Sequence, residues 1–301
     1  MKAFQRYLAE EVAFDHADGL IARREALRRL SMLGLGLPAA SALLAACGGG
    51  DETAQSAPAT TTSAPSSAPA TQASQVATQP ITFDGPRDQP LRGAWAAAAE
   101  PKGALLVIHE NRGLNDHIRS VAGRFAAAGY SSLAIDLLSE EGGTEAVGGE
   151  AEAMAAISKV PDERFAADLK AGVAEVARRE PDVKIGAIGF CFGGGMTWLL
   201  LASKEPRVAA AAPFYGPLPD NTDFRGSKAA VLGIYAELDQ RVNASREDAE
   251  AALRRAGLTH EIITYPGANH AFFNDTGPRY NVNAAGQAYQ KVLDWFGTHL
   301  A

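Results

Sequence analysis

Gly189-Phe190-Cys191-Phe192-Gly193-Gly194 is the stretch on which the reading of this 301-residue chain turns. A mostly apolar run, Val183 to Ile188, leads into it, and a helix-like run, Gly194 to Ser203, leads out. A short buried strand, a sharp turn flanked by small residues and a helix are the context of a nucleophile elbow, G-x-S-x-G. Here Cys191 holds the slot of the Ser. Small residues two before and two after the nucleophile let the backbone turn tightly and lift the side chain above the sheet edge. The N–H of the following residue, Phe192, then lies at a helix N-terminus, where backbone donors and the helix dipole favour an oxyanion. A free Cys is commonly a small buried hydrophobe, but this frame argues for a nucleophile.

Outward from the elbow, composition limits the partners. The chain is 47% hydrophobic and 21% charged, which is a globular balance, and its length allows one large domain or two small ones. The formal charge is −7, and the segment 1–46 is slightly basic, so the remainder is more acidic still. Such a body is unsuited to phosphate backbones, and no nucleic-acid partner is expected. A disulfide between the two cysteines, Cys47 and Cys191, is arithmetically possible, but each sits in a motif with its own explanation.

The first 47 residues read as an export signal. A basic cluster around Arg23-Arg24 and Arg28-Arg29 precedes a 17-residue apolar run, Leu30 to Ala46, interrupted by Gly34, Gly36 and Pro38. The run is short and broken for a membrane span, and basic residues followed by an apolar stretch and small residues define a secretory signal. The adjacent arginines resemble a twin-arginine signal, with an ordinary secretory signal as the alternative. Leu44-Ala45-Ala46-Cys47 resembles a bacterial lipobox, whose Cys is acylated and becomes the first residue of the mature protein; chance placement before an ordinary cleavage site is the alternative. Acyl chains at Cys47 would anchor the protein to a membrane at ~0.8 kcal/mol per buried CH₂. Residues 48–80 are rich in Ala, Pro, Ser and Thr and read as a disordered tether. Residues 81–301 are then the folded body, expected as a monomer in the bacterial cell envelope.

In the body, strand-like runs alternate with helix-like ones. Strands are expected at Leu91–Ala98, Ala104–His109, Ser131–Asp136, the elbow strand, Val208–Tyr215, Ala229–Ala236 and Glu261–Tyr265. Helices are expected from Asp116 as N-cap through Ala128, around Glu145–Ser158, at Pro161–Arg179, after the elbow, at Ser245–Ala256 and over 284–299. This alternation implies an α/β fold, a mostly parallel sheet with helices on both faces. Ligands in such sheets bind beyond the carboxyl ends of the strands. Glu110, Cys191, Asp239 and His270 each follow an expected strand, so all four should converge on one edge.

The order nucleophile, acid, His is that of the α/β-hydrolase fold. Cys191 is the candidate nucleophile, His270 the base and then acid, and Asp239 the residue that orients the imidazole, with Glu237 as its rival. His109 ends a strand and reads as a packed or hydrogen-bonding residue. A carboxylate beside the thiol, Glu110, disfavours the thiolate and would keep Cys191 protonated until needed. Phe272, Phe273, Tyr215 and Trp198 are either pocket lining or core.

His109-Glu110-Asn111-Arg112-Gly113, the elbow, Asp239 and Gly267-Ala268-Asn269-His270-Ala271-Phe272-Phe273 together resemble the dienelactone hydrolase family (carboxymethylenebutenolidase-like) over roughly Ile81 to Leu300. The resemblance implies a Cys-His-Asp triad acting on small cyclic enol esters without metal or cofactor. It also implies that Glu110 contacts the resting thiol and that the N–H groups of Asn111 and Phe192 form the oxyanion hole. One departure is visible. The best-known members bind the substrate carboxylate with arginines, one of them four positions after the triad His, and that position here is Asn274. Arg112, Arg164 and Arg279 are possible substitutes, so an ester or lactone is the expected substrate, while dienelactone itself is in doubt. Two rival readings keep the body but change the function. A tethered binding lipoprotein has no need of all four polar residues, and a thiol redox protein lacks a resolving Cys.

Overall fold

The computed structural model describes residues 3–47 and 74–301, so most of the expected tether lies outside the described residues. The chain divides into two compact units. One takes the N-terminal residues to Leu8 with Gln75–Ala301, the other Ala9–Ser74.

Three helices precede the body: α1 (Ala3–Ala17), which begins in the larger unit, α2 (Arg23–Met32) and α3 (Leu37–Cys47). In α2 the basic cluster is partly paired internally, with Glu25 accepting from Arg28 and Arg29 at 2.8 Å each. Hydrogen bonds from the two arginines hold the Glu25 carboxyl down at about 2. The apolar run, Leu30 to Ala46, begins at the end of α2 and continues through α3, which ends at Cys47. Among the described residues no helix is long and apolar enough to cross a membrane.

The body is an eight-stranded sheet. Its strands are β1 (Gln79–Phe83), β2 (Leu91–Ala96), β3 (Gly103–Ile108), β4 (Tyr130–Asp136), β5 (Ile185–Phe190), β6 (Val208–Phe214), β7 (Ala230–Ala236) and β8 (His260–Tyr265). They lie in the order β1-β2-β4-β3-β5-β6-β7-β8. β2 runs antiparallel to β1 and β4, and every other pairing is parallel. The helices of the body are α4 (Asp116–Ala127), α5 (Glu150–Ile157), α6 (Asp162–Arg179), α7 (Phe192–Ala202), α8 (Gln240–Asn243), α9 (Arg246–Ala256) and α10 (Val282–His299).

The burial explains the layers. Leu105 to Ile108 are fully buried, as expected of a strand covered on both faces. Successive side chains of a strand point to opposite faces, and β3 shows which helices take which face. Gly172 of α6 sits against Leu106, whereas Gly186, the partner of Leu105 in register, sits against Leu105 and Phe296 of α10. Helices therefore cover both faces. The stripe Ile118, Val121, Phe125 and Ala126 of α4 is buried as its spacing requires.

Several boundaries differ from the expectations. The body begins before residue 81, since β1 includes Gln79 and Pro80 and the Val76 amide bonds Gly123. β1 is a mostly exposed edge strand, so it shows no alternation to read, and Pro80 is admissible only at such an edge. The cap of α4 is Asn115, whose side chain accepts from the Ile118 amide at 3.1 Å, so Asp116 is the first helical residue. α5 starts at Glu150 because positive φ at Gly142, Gly143, Gly148 and Gly149 breaks the preceding chain into single 3₁₀ turns.

The elbow is the tightest part of the fold. A Cβ on Gly193 would stand 2.3 Å from the Ile108 carbonyl oxygen, and one on Gly189 would stand 2.0 Å from that of Gly193. Neither backbone can yield without moving β3 or β5. Gly193→Ala is therefore expected to destabilise the protein by about 1–3 kcal/mol or more. Gly233→Ala, whose Cβ would meet only side chains, Ile262 at 3.3 Å and the Tyr235 ring at 3.4 Å, should cost distinctly less. Urea unfolding of both variants checks this, and equal losses would refute the backbone explanation.

Candidate active site

The parallel strands β3, β5, β7 and β8 deliver Glu110, Cys191, Asp239 and His270 to the same edge. All four are nearly inaccessible to solvent.

Cys191 is the N-cap of α7 with φ 57° and ψ −117°, a conformation that an L-residue holds only under constraint. Its amide donates to the Phe214 carbonyl at 3.1 Å, and its carbonyl accepts from Gly195 at 3.1 Å. Phe192 is the first residue of α7, so its N–H has no acceptor one turn back within the helix. Asn111, just past β3, is buried.

Asp239 caps α8, with Oδ1 accepting from the Val242 amide at 3.3 Å. Its Oδ2 lies 2.5 Å from His270 Nδ1. Burial pushes the Asp239 carboxyl up, but the charge and hydrogen bond of His270, with Arg241 and the Val242 amide, outweigh it and hold the group below the usual range. An ionised carboxylate can only accept, so Nδ1 carries a proton, and the neutral tautomer that fits this bond has its lone pair on Nε2. Nε2 is buried without a hydrogen-bond partner among the described residues. A ring nitrogen of His270 and Cys191 Sγ lie within 4.8 Å of each other. The rival acid, Glu237, is exposed and accepts from the Gly267 amide at 2.7 Å, bracing the loop before His270.

Glu110 lies near this group but is held by a residue that sequence reasoning assigned no part. Asn274 Nδ2 donates to Glu110 Oε2 at 2.8 Å. Tyr215 packs edge-on against His270 with ring centres 5.2 Å apart. Burial pushes its hydroxyl well above the ordinary phenol value, and Glu110 and Cys191, in their ionised forms, push in the same direction. Tyr215 therefore feels both groups. Phe272 and Phe273 are buried in an aromatic cluster with Phe214, and Trp198 stacks near Phe224, outside this edge.

His109 has the supporting role its position suggested. The Leu137 amide donates to Nε2 at 3.1 Å, so Nδ1 carries the proton and donates to the Glu110 carbonyl at 2.6 Å. Burial lowers its pKa, which agrees with a neutral ring. It ties the end of β3 to the loop after β4.

Tyr7 is the contact that no motif foreshadowed. Its hydroxyl lies 3.3 Å from Cys191 Sγ. The Arg241 guanidinium lies 4.2 Å from the centre of the Tyr7 ring and also bonds its carbonyl. A cavity of about 370 Å³ adjoins this contact, lined by Tyr7, Met196, Leu199 and the Pro217–Asp220 loop. That volume suits a small molecule. The charged residues of the lining are Asp162, Glu163 and Asp220, all acidic. Arg112 pairs with Glu150, and Arg164 with Glu141, so two of the three candidate carboxylate-binding arginines are engaged elsewhere.

The dienelactone hydrolase family model matches residues 91–300. A protein of Methylorubrum extorquens provisionally named carboxymethylenebutenolidase is 34% identical over 221 residues, covering 69% of this chain and 76% of its own. A similarly named protein of Escherichia coli K12 is 33% identical over 209 residues, covering 65% and 77%. A crystal structure from Klebsiella pneumoniae, provisionally a dienelactone hydrolase, superposes with TM-score 0.64 at 30% identity over 74% of this chain and 100% of that one. These likenesses lend no support to a binding-only protein. With its parallel sheet, its elbow and these relatives, the chain belongs to the dienelactone hydrolase family of ester and lactone hydrolases, on the α/β-hydrolase fold.

Proposed function

We propose that the chain hydrolyses a small ester or lactone through an acyl-thioenzyme on Cys191. The observation that carries this reading is the 2.5 Å pair of Asp239 and His270, beside a Cys held at an elbow turn. His270 Nε2 takes the thiol proton as sulfur bonds the carbonyl carbon, and the tetrahedral oxyanion is received by the N–H groups of Asn111 and Phe192. Collapse breaks the carbon–oxygen bond, and His270 returns the proton to the leaving alkoxide. Water then attacks the thioester with His270 again as base, releasing the acid and the thiol. Asp239 stabilises the imidazolium at each stage. No metal or cofactor enters these steps.

The substrate we infer is uncharged. The position that would hold a cation for a substrate carboxylate is Asn274, and the adjoining cavity carries Asp162, Glu163 and Asp220. Incubating the full chain with p-nitrophenyl acetate and paired lactones, with and without a carboxylate, tests both points. An acyl mass should appear on the Cys191 peptide after rapid quench, and neutral lactones should turn over faster. Tyr7→Ala is run alongside because Tyr7 covers the thiol. His270→Ala and Asp239→Asn should each lower kcat about 10²–10⁴-fold. A folded protein that gives no adduct and no product in either form would overturn the reading.

Asp239 also makes a prediction about acid. Its folded-state pKa is lowered, so its contribution to stability is present above the ordinary carboxylate range and is lost as pH falls through the depressed value. The stability gap between the wild type and Asp239→Asn, measured by urea unfolding, should therefore narrow on acidification from neutral pH. A gap that widens would contradict the assignment of the pair.

We propose further that the protein is exported and lipid-anchored at Cys47, with the basic α2 and apolar α3 acting as the signal. Metabolic labelling with palmitate in a bacterial host should mark the wild type in the membrane fraction, and Cys47→Ala should lose the label. An unlabelled wild type would overturn the anchor.

A further inference from the structure

Asn274 and Glu110 come from opposite ends of the body, 164 residues apart, and meet where both side chains are almost fully buried. The amide is fixed in one sense. Its Oδ1 accepts from the Thr276 amide at 3.0 Å and the Thr276 hydroxyl at 2.7 Å. Flipping it would set the NH₂ group against the Thr276 N–H and Oδ1 against a carboxylate, so Nδ2 must face Glu110. The backbone is fixed too: the Asn274 amide bonds Ala271, and its carbonyl accepts from Gly277. The next residue, Asp275, anchors the same loop to α4 by a 2.8 Å bond to His117. Glu110 Oε1 has no hydrogen-bond partner among the described residues.

We propose that Asn274 is a positioning residue for Glu110, holding one carboxylate oxygen with a neutral donor and leaving the other free to act on the Cys191 thiol. A cation at position 274 would cancel the Glu110 charge; an amide orients the carboxylate and leaves its charge in force. The loop that carries His270 thus also sets Glu110, and base and carboxylate keep a common register. This rests on the reading of Cys191 as nucleophile. Within the larger unit, the titratable or charged groups around the thiol and Glu110 include Tyr7, Tyr215, His270, Asp239, His109, Arg124 and Arg241.

The test is a double-mutant cycle on the full chain, read by iodoacetamide alkylation of Cys191 against pH and scored on the Cys191 peptide so that Cys47 does not contribute. Glu110→Gln removes a charge near the thiol and should move the alkylation midpoint down by about one pH unit. In an Asn274→Ala background the same change should move it by less than half as much. Thr276→Val, which removes one of the two bonds that fix the amide and keeps the other, should give an intermediate result. With p-nitrophenyl acetate, Asn274→Ala should lower kcat about tenfold and leave KM nearly unchanged, the scale of one hydrogen bond to a charged group. An equal Glu110→Gln shift in both backgrounds, or none in either, overturns the proposal. Circular dichroism establishes folding, and if Asn274→Ala does not fold, the Thr276→Val cycle decides. Alkylation needs no turnover, so coupling without turnover refutes only the hydrolase mechanism, whereas turnover without coupling refutes only the role of Asn274.

Discussion

The close passage of α7 across the end of β3 is the constraint on which the site depends. The Gly193 Cα stands where any side chain would strike the Ile108 carbonyl, and Gly189 is pressed against Gly193 in the same way. This contact forces the chain to reverse within one residue, and that residue is Cys191 at φ 57°. The unfavourable backbone is sustained because β5 is paired on both sides, with β3 and with β6, and because the Cys191 amide is bonded to Phe214. Strain of this kind costs roughly 1–3 kcal/mol and persists only where the surroundings over-determine it. A loop could not hold it; a central strand and a buried helix can.

The second organising element is the loop from Gly267 to Gly277. It is long and irregular, yet it is tied down at each functional position. Glu237 holds its start through the Gly267 amide, Asp239 holds His270, Glu110 is held by Asn274, and His117 receives Asp275. Each tie joins the loop to a different neighbour in the body. The loop is thus set by side chains whose partners lie between 30 and 164 residues away in sequence. Side chains tied in this way lose little freedom when a substrate arrives, which is the condition for catalysis by positioning.

Most of the fold was legible because its strands are buried on both faces. A run such as Leu105 to Ile108 cannot be mistaken for a surface segment, and helix stripes such as Ile118, Val121 and Phe125 repeat at helical spacing. What escaped reading was local and exposed. β1 has four of its five residues outside the core, so no apolar pattern marks it. Asn115 and Asp116 are both good caps, and only the path of the chain decides which accepts from Ile118. The glycines near 142–149 each signal a turn, but not that α5 would wait until Glu150.

The sequence by itself determined the class of fold, the elbow and the identity of the polar residues that follow the parallel strands. These depend on short-range patterns: a Gly needed two residues either side of a turn, an apolar run, a His after the last strand. Tertiary structure alone decided between Glu237 and Asp239, since the two differ by two positions and only the path past β7 turns one to His270 and the other to Gly267. It alone brought Asn274 to Glu110 and Tyr7 to Cys191. Contacts between residues this far apart carry no local signature, because they arise from where the sheet order and the loop set two segments side by side.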